Sequence, residues 1–271
     1  MHEALGRLIG EGRTAEVFVW KESQVVKLFR DFMPAAAARR ELQNTEAVVR
    51  AGVTAPTPCG EVTLDGRVGL VFESVPGPTM LRSLSSRPWT LVRSAHTLAG
   101  LHADMHDRLA SSLPPLRESM RGSITNAPGL SESTRNSALQ ALDAQPDGGA
   151  ICHGDFHPDN ILMSGSGPVI IDWSTATRGD PCADLVRTSM MLSLASVPPG
   201  TPGRARIALL RSIFHRLYLR RYLRLRPGPR RQSEGWRLPA AAARLNERIP
   251  DEREALLALV KRLAGRSTEL R

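Results

Sequence analysis

The spacing of apolar residues predicts strands in the first quarter of the chain and helices over most of the rest. Two pairs of short apolar runs occur before residue 74, and Asp65-Gly66 separates the second pair. Short apolar runs joined by such a turn are typical of β-hairpins. We therefore expect an antiparallel sheet in this region.

Helical periodicity begins at residues 34–51, which end at Gly52, and returns after Thr79. A basic loop is expected at 227–233. A further hairpin is expected where apolar runs flank the Gly/Ser turn at Ser164–Gly167. The other predicted helices cover about 80–84, 91–109, 131–144, 207–222, 237–247 and 251–265.

A polar cluster, His153–Asn160, lies between the apolar runs of this last hairpin region and carries the candidate chemistry. Asp155 precedes Asn160 by five positions, and Asp172 follows the next apolar run. Phosphoryl transfer uses a carboxylate to orient the attacking hydroxyl and oxygen ligands to hold Mg²⁺ on the nucleotide. Protein kinases place their base Asp, metal-binding Asn and second Asp with this spacing.

The pattern His-Gly-Asp155-x-His-x-x-Asn160, followed by Ile-Asp172-Trp, resembles the aminoglycoside phosphotransferase/choline kinase-like family. The resemblance implies an α+β, bilobal, protein-kinase-like fold. A small antiparallel-sheet N-lobe would cover residues 1–74 and a mostly helical C-lobe residues 75–271. It also implies an ATP-dependent phosphotransferase in which Asp155 is the catalytic base and Asn160 and Asp172 bind Mg²⁺.

The N-terminal segment fits the kinase Gly-rich loop, in which glycines let backbone N–H groups approach phosphate. Gly10 and Gly12 occupy its first two glycine positions, and Ala15 replaces the third. Lys27, within an apolar strand, would then bind the nucleotide phosphates and pair with a helix glutamate. We expect Glu41 to be that partner, with Glu46 as the alternative.

By the same resemblance, the backbone from Glu73 to Val75 would hydrogen-bond the adenine edge, although ATP and GTP are not distinguished. Asp159 is a departure, because a Gly is expected there. Asp180 and Asp184 are expected to support the catalytic loop. His102 and His106, one helical turn apart, suggest metal ligation, but packing against that loop is the preferred interpretation.

Only seven residues separate Asp172 from Asp180, which leaves no room for the segment that holds a peptide in protein kinases. The expected acceptor is therefore a small-molecule hydroxyl compound, an antibiotic or a metabolite. A polycationic aminoglycoside is disfavoured because the C-terminal part is basic, and choline because few aromatic residues could form a cage. The alternative is a catalytically silent nucleotide-binding regulatory protein of the same fold.

The charge distribution raises two further possibilities. The net charge is +9, and residues 186–271 hold 19 Lys and Arg against 6 Asp and Glu. The basic residues follow helical patterns without interleaved aromatics, so we expect a solvated surface and neither a nucleic-acid nor a membrane partner. Three scattered cysteines and the absence of an apolar leader lead us to expect a cytoplasmic protein.

Overall fold

The computed structural model describes residues 5–194 and 200–269, which form two compact units. The first unit contains residues up to Ser83 together with Pro158–Ala176, and the second contains Leu84–His157 and the chain from Thr177 onward. The predicted antiparallel sheet and helical C-terminal region are both confirmed. Among the described residues, no helix has the length and apolar character needed to cross a bilayer.

The first unit is built on a five-stranded antiparallel sheet with the order β1-β2-β3-β5-β4. Its core holds Ala15, Phe29, Ala38, Leu70 and Phe72. Neighbouring strands of this sheet are consecutive in the sequence, with one exception: β3 pairs with β5. The strands are β1 (Leu8–Glu11), β2 (Ala15–Val19), β3 (Gln24–Phe29), β4 (Pro58–Leu64) and β5 (Arg67–Glu73).

The turn between β4 and β5 has the conformation that its sequence predicts. Asp65 and Gly66 have φ values of 49° and 81°. Two consecutive residues with positive φ are characteristic of the type I′ turn, whose twist matches that of the flanking strands. The predicted hairpin is therefore confirmed.

Helix α1 (Ala35–Arg50) packs against β4 and β5. Its buried positions include Ala38, Glu41 and Val48, which recur at the spacing of one helix face. Gly52, with φ 81°, follows the helix as a left-handed C-terminal residue. The face that meets the sheet therefore carries one acidic side chain among apolar ones.

A second hairpin in the first unit consists of β7 (Ile161–Ser164) and β8 (Gly167–Ile170). Gly77 lies against it with φ 138°, and a Cβ added there would lie 2.3 Å from the Met163 carbonyl oxygen. Both its conformation and its close backbone neighbour therefore require glycine.

The second unit is mainly helical, with the short pair β6 (Ala150–Cys152) and β9 (Thr177–Gly179). Helix α2 (Met80–Ser86) ends within it. Its main core includes Leu116, Ile124, Leu142 and Trp236. Its other helices are α3 (Leu91–His106), α4 (Leu116–Thr125), α5 (Glu132–Asp143), α6 (Pro181–Leu194), α7 (Arg204–Leu225), α8 (Pro229–Arg244) and α9 (Pro250–Glu269).

Part of the predicted basic loop at 227–233 is wrong, because α8 already begins at Pro229. Proline is well suited to the first helical position, where its missing N–H would have no partner within the helix. Gly228, with φ 118°, provides the change of direction between α7 and α8. Pro229 therefore marks the start of α8.

A buried polar cluster in the second unit converges on the Asp184 carboxylate. The Nε2 atoms of His102 and His106 lie 3.2 and 3.4 Å from Asp184 Oδ2. Their Nδ1 atoms lie 2.6 and 2.7 Å from the hydroxyls of Tyr218 and Tyr222. Hydrogen bonds thus engage both ring nitrogens of each histidine.

The same carboxylate holds the polar segment that begins at His153. The N–H groups of His153 and Gly154 donate to the two oxygens of Asp184, at 2.7 and 2.9 Å. Phe156 stacks on His102 with ring centroids 4.2 Å apart. The predicted packing against the segment is confirmed for His102, as is the supporting role of Asp184.

Asp180 does not have the predicted supporting role. Its carboxylate accepts hydrogen bonds from the Cys182 N–H and from the Trp236 indole N–H, both at 2.9 Å. It therefore caps the start of α6 and anchors α8, because its position just before the helix places the side chain over the first free N–H groups.

The cluster predicts acid sensitivity of folding. Burial lowers the pKa of His102 to about 3, so the folded protein keeps this ring neutral where the unfolded chain, with a pKa near 6.5, becomes protonated. The unfolded state then binds more protons, and stability should fall as the pH decreases below about 6.5. The contribution of His102 to the pH dependence of the unfolding free energy should approach about 1.4 kcal/mol per pH unit.

Chemical denaturation at several pH values between 4.5 and 8 measures this effect. In His102→Gln the slope of the unfolding free energy between pH 4.5 and 6.5 should be smaller than in the parent. Above pH 7 the two curves should run parallel, which is the internal control. Equal slopes in the acidic window would show that His102 is not the group responsible.

Candidate functional site

Lys27 joins two acidic side chains in the first unit. Its Nζ lies 2.7 and 2.8 Å from the two carboxylate oxygens of Glu41 and 3.2 Å from Asp172 Oδ1. Glu46, the alternative partner, instead lies 3.6 Å from Arg50 on the same helix. The partner of Lys27 is therefore Glu41.

The electrostatics of this group follow from its burial. Burial opposes the charge on Lys27, but the carboxylates of Glu41 and Asp172 outweigh it and raise the lysine pKa. Burial raises the pKa of Glu41 to about 7, against the opposing attraction of Lys27. The Lys27 ammonium group can move little between its two carboxylate partners, because breaking either ion pair would cost free energy.

Asp172 has an unusual backbone conformation with φ 63°. A left-handed non-glycine residue is strained and persists where its surroundings hold it. Ser174 Oγ donates to Asp172 Oδ1 at 2.8 Å, and the buried Asn44 amide on α1 donates to the Trp173 carbonyl at 2.9 Å. Strain with this much support is characteristic of functional positions.

Asn160 lies beside Asp172 because of the β7–β8 ladder. It ends a 3₁₀ turn, and its carbonyl accepts the N–H of Ile171 at 3.0 Å. Asp159, the departure from the expected Gly, accepts a hydrogen bond from Thr79 Oγ at 2.7 Å. Its carboxylate therefore has a structural partner in the first unit.

The amide of Asn160 and the carboxylate of Asp172 offer hard oxygen atoms, which are the donors that Mg²⁺ prefers. The Asp172 side chain is 36% exposed, so it is open to a ligand from solvent. The donor set therefore fits a magnesium ion.

The predicted Gly-rich loop joins β1 and β2. Gly10 pairs with Val17, and the Gly12 N–H donates to the Ala15 carbonyl at 2.8 Å, which closes the turn. At the other end of the sheet, the Glu73 N–H donates to the Thr57 carbonyl at 2.9 Å. For a nucleotide base, Glu73 would thus offer its carbonyl, and Val75 follows just beyond the strand end.

Asp155 belongs to the second unit, where His157 Nε2 lies 3.4 Å from its Oδ2. Its own N–H donates to His153 Nδ1 at 3.1 Å. Burial alone would raise the Asp155 pKa, but the hydrogen bond from His157 and the charge of Arg187 hold it well below its usual value. The carboxylate is therefore ionised at neutral pH, as a group that takes a proton from a hydroxyl must be.

A set of ion pairs that no sequence motif indicates lies next to the segment that carries Asp155. Arg187, one turn after Asp184 on α6, donates to the Gly154 carbonyl and pairs with Glu247 at 2.6 Å. Arg244 contacts the other Glu247 oxygen at 3.1 Å and forms a buried two-bond pair with Glu252 at 2.6 and 2.9 Å. These contacts link the segment that carries Asp155 to α8 and α9.

Only the spacing of Arg187 from Asp184 could have suggested its role in advance. Glu247 and Glu252 lie about 60 residues further along the chain, and nothing local relates them to Asp155. Asn44 was missed for the same reason, since its partners follow it by more than 120 residues.

A sequence model described as the phosphotransferase enzyme family matches residues 6–227. No curated protein matches the chain.

Solved structures of low identity share the fold. A thermostable mutant of aminoglycoside phosphotransferase APH(4)-Ia, in ternary complex with AMP-PNP and hygromycin B, is 13% identical with a TM-score of 0.65, covering 95% of this chain and 92% of that one. An aminoglycoside-3'-phosphotransferase of type VIII is 18% identical with a TM-score of 0.63, covering 90% and 92%. Choline kinase from Cryptosporidium parvum Iowa II is 14% identical with a TM-score of 0.58, covering 97% and 89%.

The family match spans most of the chain and includes every residue that the motifs single out, from Gly10 to Asp172. The fold similarity extends over nine-tenths or more of the chain. This protein belongs to the phosphotransferase enzyme family and has the protein-kinase-like fold.

Proposed function

We propose that this protein transfers the γ-phosphate of ATP to a hydroxyl group of a small molecule. The observation that carries the proposal is the contact of Lys27 with both Glu41 and Asp172 in the first unit. A kinase-like nucleotide site uses a lysine oriented by a helix glutamate next to a metal-binding aspartate. The membership of the phosphotransferase family supports the same reaction class.

In this proposal Lys27 binds the nucleotide phosphates, and Glu41 keeps the ammonium group in place. Asn160 and Asp172 would hold Mg²⁺, which would neutralise charge that develops on the phosphate oxygens. The backbone of Glu73 and Val75 would bind the adenine ring. All of these groups belong to the first unit.

Asp155 is the proposed catalytic residue. Its ionised carboxylate would accept a hydrogen bond from the acceptor hydroxyl, orient the oxygen for attack and take its proton as the new P–O bond forms. His157 donates to the same carboxylate and would keep it in one orientation. Arg187 restrains the peptide just before Asp155 and would act as a positioning residue.

The glycines of the proposed phosphate loop support a nucleotide role. A Cβ at Gly10 or Gly12 would meet its nearest neighbours at 3.6 or 3.5 Å, which are ordinary contacts. Neither residue has a positive φ. The protein's own packing thus does not require glycine at either position, whereas a phosphate group bound against the backbone would.

The role of the proposed base can be tested by substitution. Asp155→Ala should lower kcat for acceptor-dependent ADP release by a factor of about 10²–10⁴, the range for loss of a general base. Its affinity for Mg-ATP should stay near that of the parent, because this carboxylate is not assigned to the nucleotide. The measurement is ADP release over a panel of hydroxyl-bearing antibiotics and metabolites, with calorimetric ATP titration alongside.

Two outcomes would contradict this scheme. An Asp155→Ala variant as active as the parent would refute the role of the residue. A parent protein that binds Mg-ATP but phosphorylates no acceptor of a broad panel would instead favour a silent nucleotide-binding regulatory protein.

A further prediction distinguishes a glycine that ligand binding requires from a glycine that the fold requires. Gly12→Ala should weaken ATP binding about tenfold while the melting temperature changes little, because without phosphate the added methyl group meets only the Ala15 carbonyl oxygen, at an ordinary contact distance of 3.5 Å. Gly77→Ala is the matched control and should cost about 2 kcal/mol of stability, because of its strained φ and its contact with Met163. Thermal unfolding with and without Mg-ATP tests both. The idea fails if Gly12→Ala binds ATP as the parent does.

A further inference from the structure

Helix α7 has an unusual charge pattern. Its 22 residues include seven arginines and no aspartate or glutamate. Arg216, Arg220 and Arg224 recur every four residues, which places like charges next to one another on one face. Such pairs destabilise a helix by a few tenths of a kcal/mol each unless an opposite charge lies nearby.

Many arginines elsewhere in the chain do have an acidic partner. Arg67 lies 2.6 Å from Glu16, Arg117 lies 2.8 Å from Asp147, and Arg226, just after α7, pairs with Asp107. By contrast, no carboxylate in the described ranges 5–194 and 200–269 lies within 4 Å of Arg220, Arg221 or Arg224. Their clustering is therefore not compensated by an ion pair with any described residue.

These three arginines share a groove between α3 and α7. The groove has a volume of about 300 Å³. Val92, which is 52% exposed, and Leu217 supply apolar surface among the basic groups. The complete lining is Val92, His96, Leu217, Arg220, Arg221 and Arg224.

We infer that this groove binds a small phosphate monoester with an apolar body. Guanidinium groups match the geometry of phosphate oxygens and can form two hydrogen bonds each. The apolar residues would cover a short hydrocarbon portion of the ligand. The volume is at the lower limit of typical small-molecule sites, which span about 300–1,000 Å³.

A small ligand suits the groove better than a polymer does. Its lining contains no Trp, Tyr or Phe on which nucleic-acid bases could stack. The basic groups are concentrated within about one turn of α7 rather than spread along a track for a backbone. None of the residues that line the groove is among those proposed above to bind ATP. The inference therefore does not depend on the proposed phosphotransferase activity.

Calorimetric titration of the full chain with hexyl phosphate tests the inference, with methyl phosphate as the probe that lacks an apolar body. Hexyl phosphate should bind more tightly than methyl phosphate. Arg220→Gln/Arg224→Gln should weaken hexyl phosphate about 100-fold, because each charged hydrogen-bonding partner contributes roughly tenfold. Val92→Ser should weaken hexyl phosphate about threefold and leave methyl phosphate unchanged.

The matched control is Arg204→Gln/Arg206→Gln, which removes the same charge from exposed positions of the same helix outside the groove. This variant should bind hexyl phosphate like the parent. Equal losses in both double variants would overturn the inference in favour of a general basic surface. So would tighter binding of phosphatidylglycerol vesicles or single-stranded DNA than of hexyl phosphate, or equal binding of hexyl and methyl phosphate.

Discussion

The ion pairs of the half-buried Lys27 ammonium group with Glu41 and Asp172 are the interaction on which the first unit depends. Lys27 lies in a strand whose neighbouring side chains are apolar, so its charge must be balanced within the protein. Glu41 supplies that balance from α1, and Asp172 supplies a second carboxylate from the end of the β7–β8 hairpin. A sheet strand, a helix and a distant hairpin are therefore tied together by one charge.

The same group of residues also holds a strained backbone conformation at Asp172, where metal binding is proposed. Two hydrogen bonds hold Asp172 at its left-handed φ. Ser174 donates to the Asp172 carboxylate, and the Asn44 amide donates to the carbonyl of the next residue, Trp173. Two acidic groups near one lysine keep a negative site available for a cation. A metal-bound nucleotide would complete a charge arrangement that the protein has already assembled.

In the second unit, a buried carboxylate rather than an ammonium group positions the functional segment. This carboxylate, Asp184, is fully buried, and its pKa is held well below its usual value: burial opposes this, and the two histidines His102 and His106 outweigh it. The tyrosines of α7 hold the other edges of those histidines. The segment carrying Asp155 is thus fixed through its backbone, as the proposed catalytic role of the Asp155 side chain requires.

The local features of this protein could be predicted from sequence. Asp65-Gly66 determines a type I′ turn, Gly52 ends α1, and the spacing of Asp155, Asn160 and Asp172 identifies a phosphotransferase pattern, because each depends on residues a few positions apart. The choice of Glu41 over Glu46 was made on resemblance alone. The error at Pro229 arose because a proline that follows a glycine can continue a loop or begin a helix, and only packing decides.

What tertiary structure alone decided involves partners far apart in sequence. Asn44 with the Trp173 peptide, Arg187 with Glu247, and the two His–Tyr pairs meeting at Asp184 all depend on how elements pack. Arg220, Arg221 and Arg224 belong to the same class, since sequence reveals a basic helix but not which of its charges lack an acidic partner among the residues that the structure describes. Periodicity specifies which face of an element is buried, whereas the contacts across that face depend on the rotation and position of its neighbour.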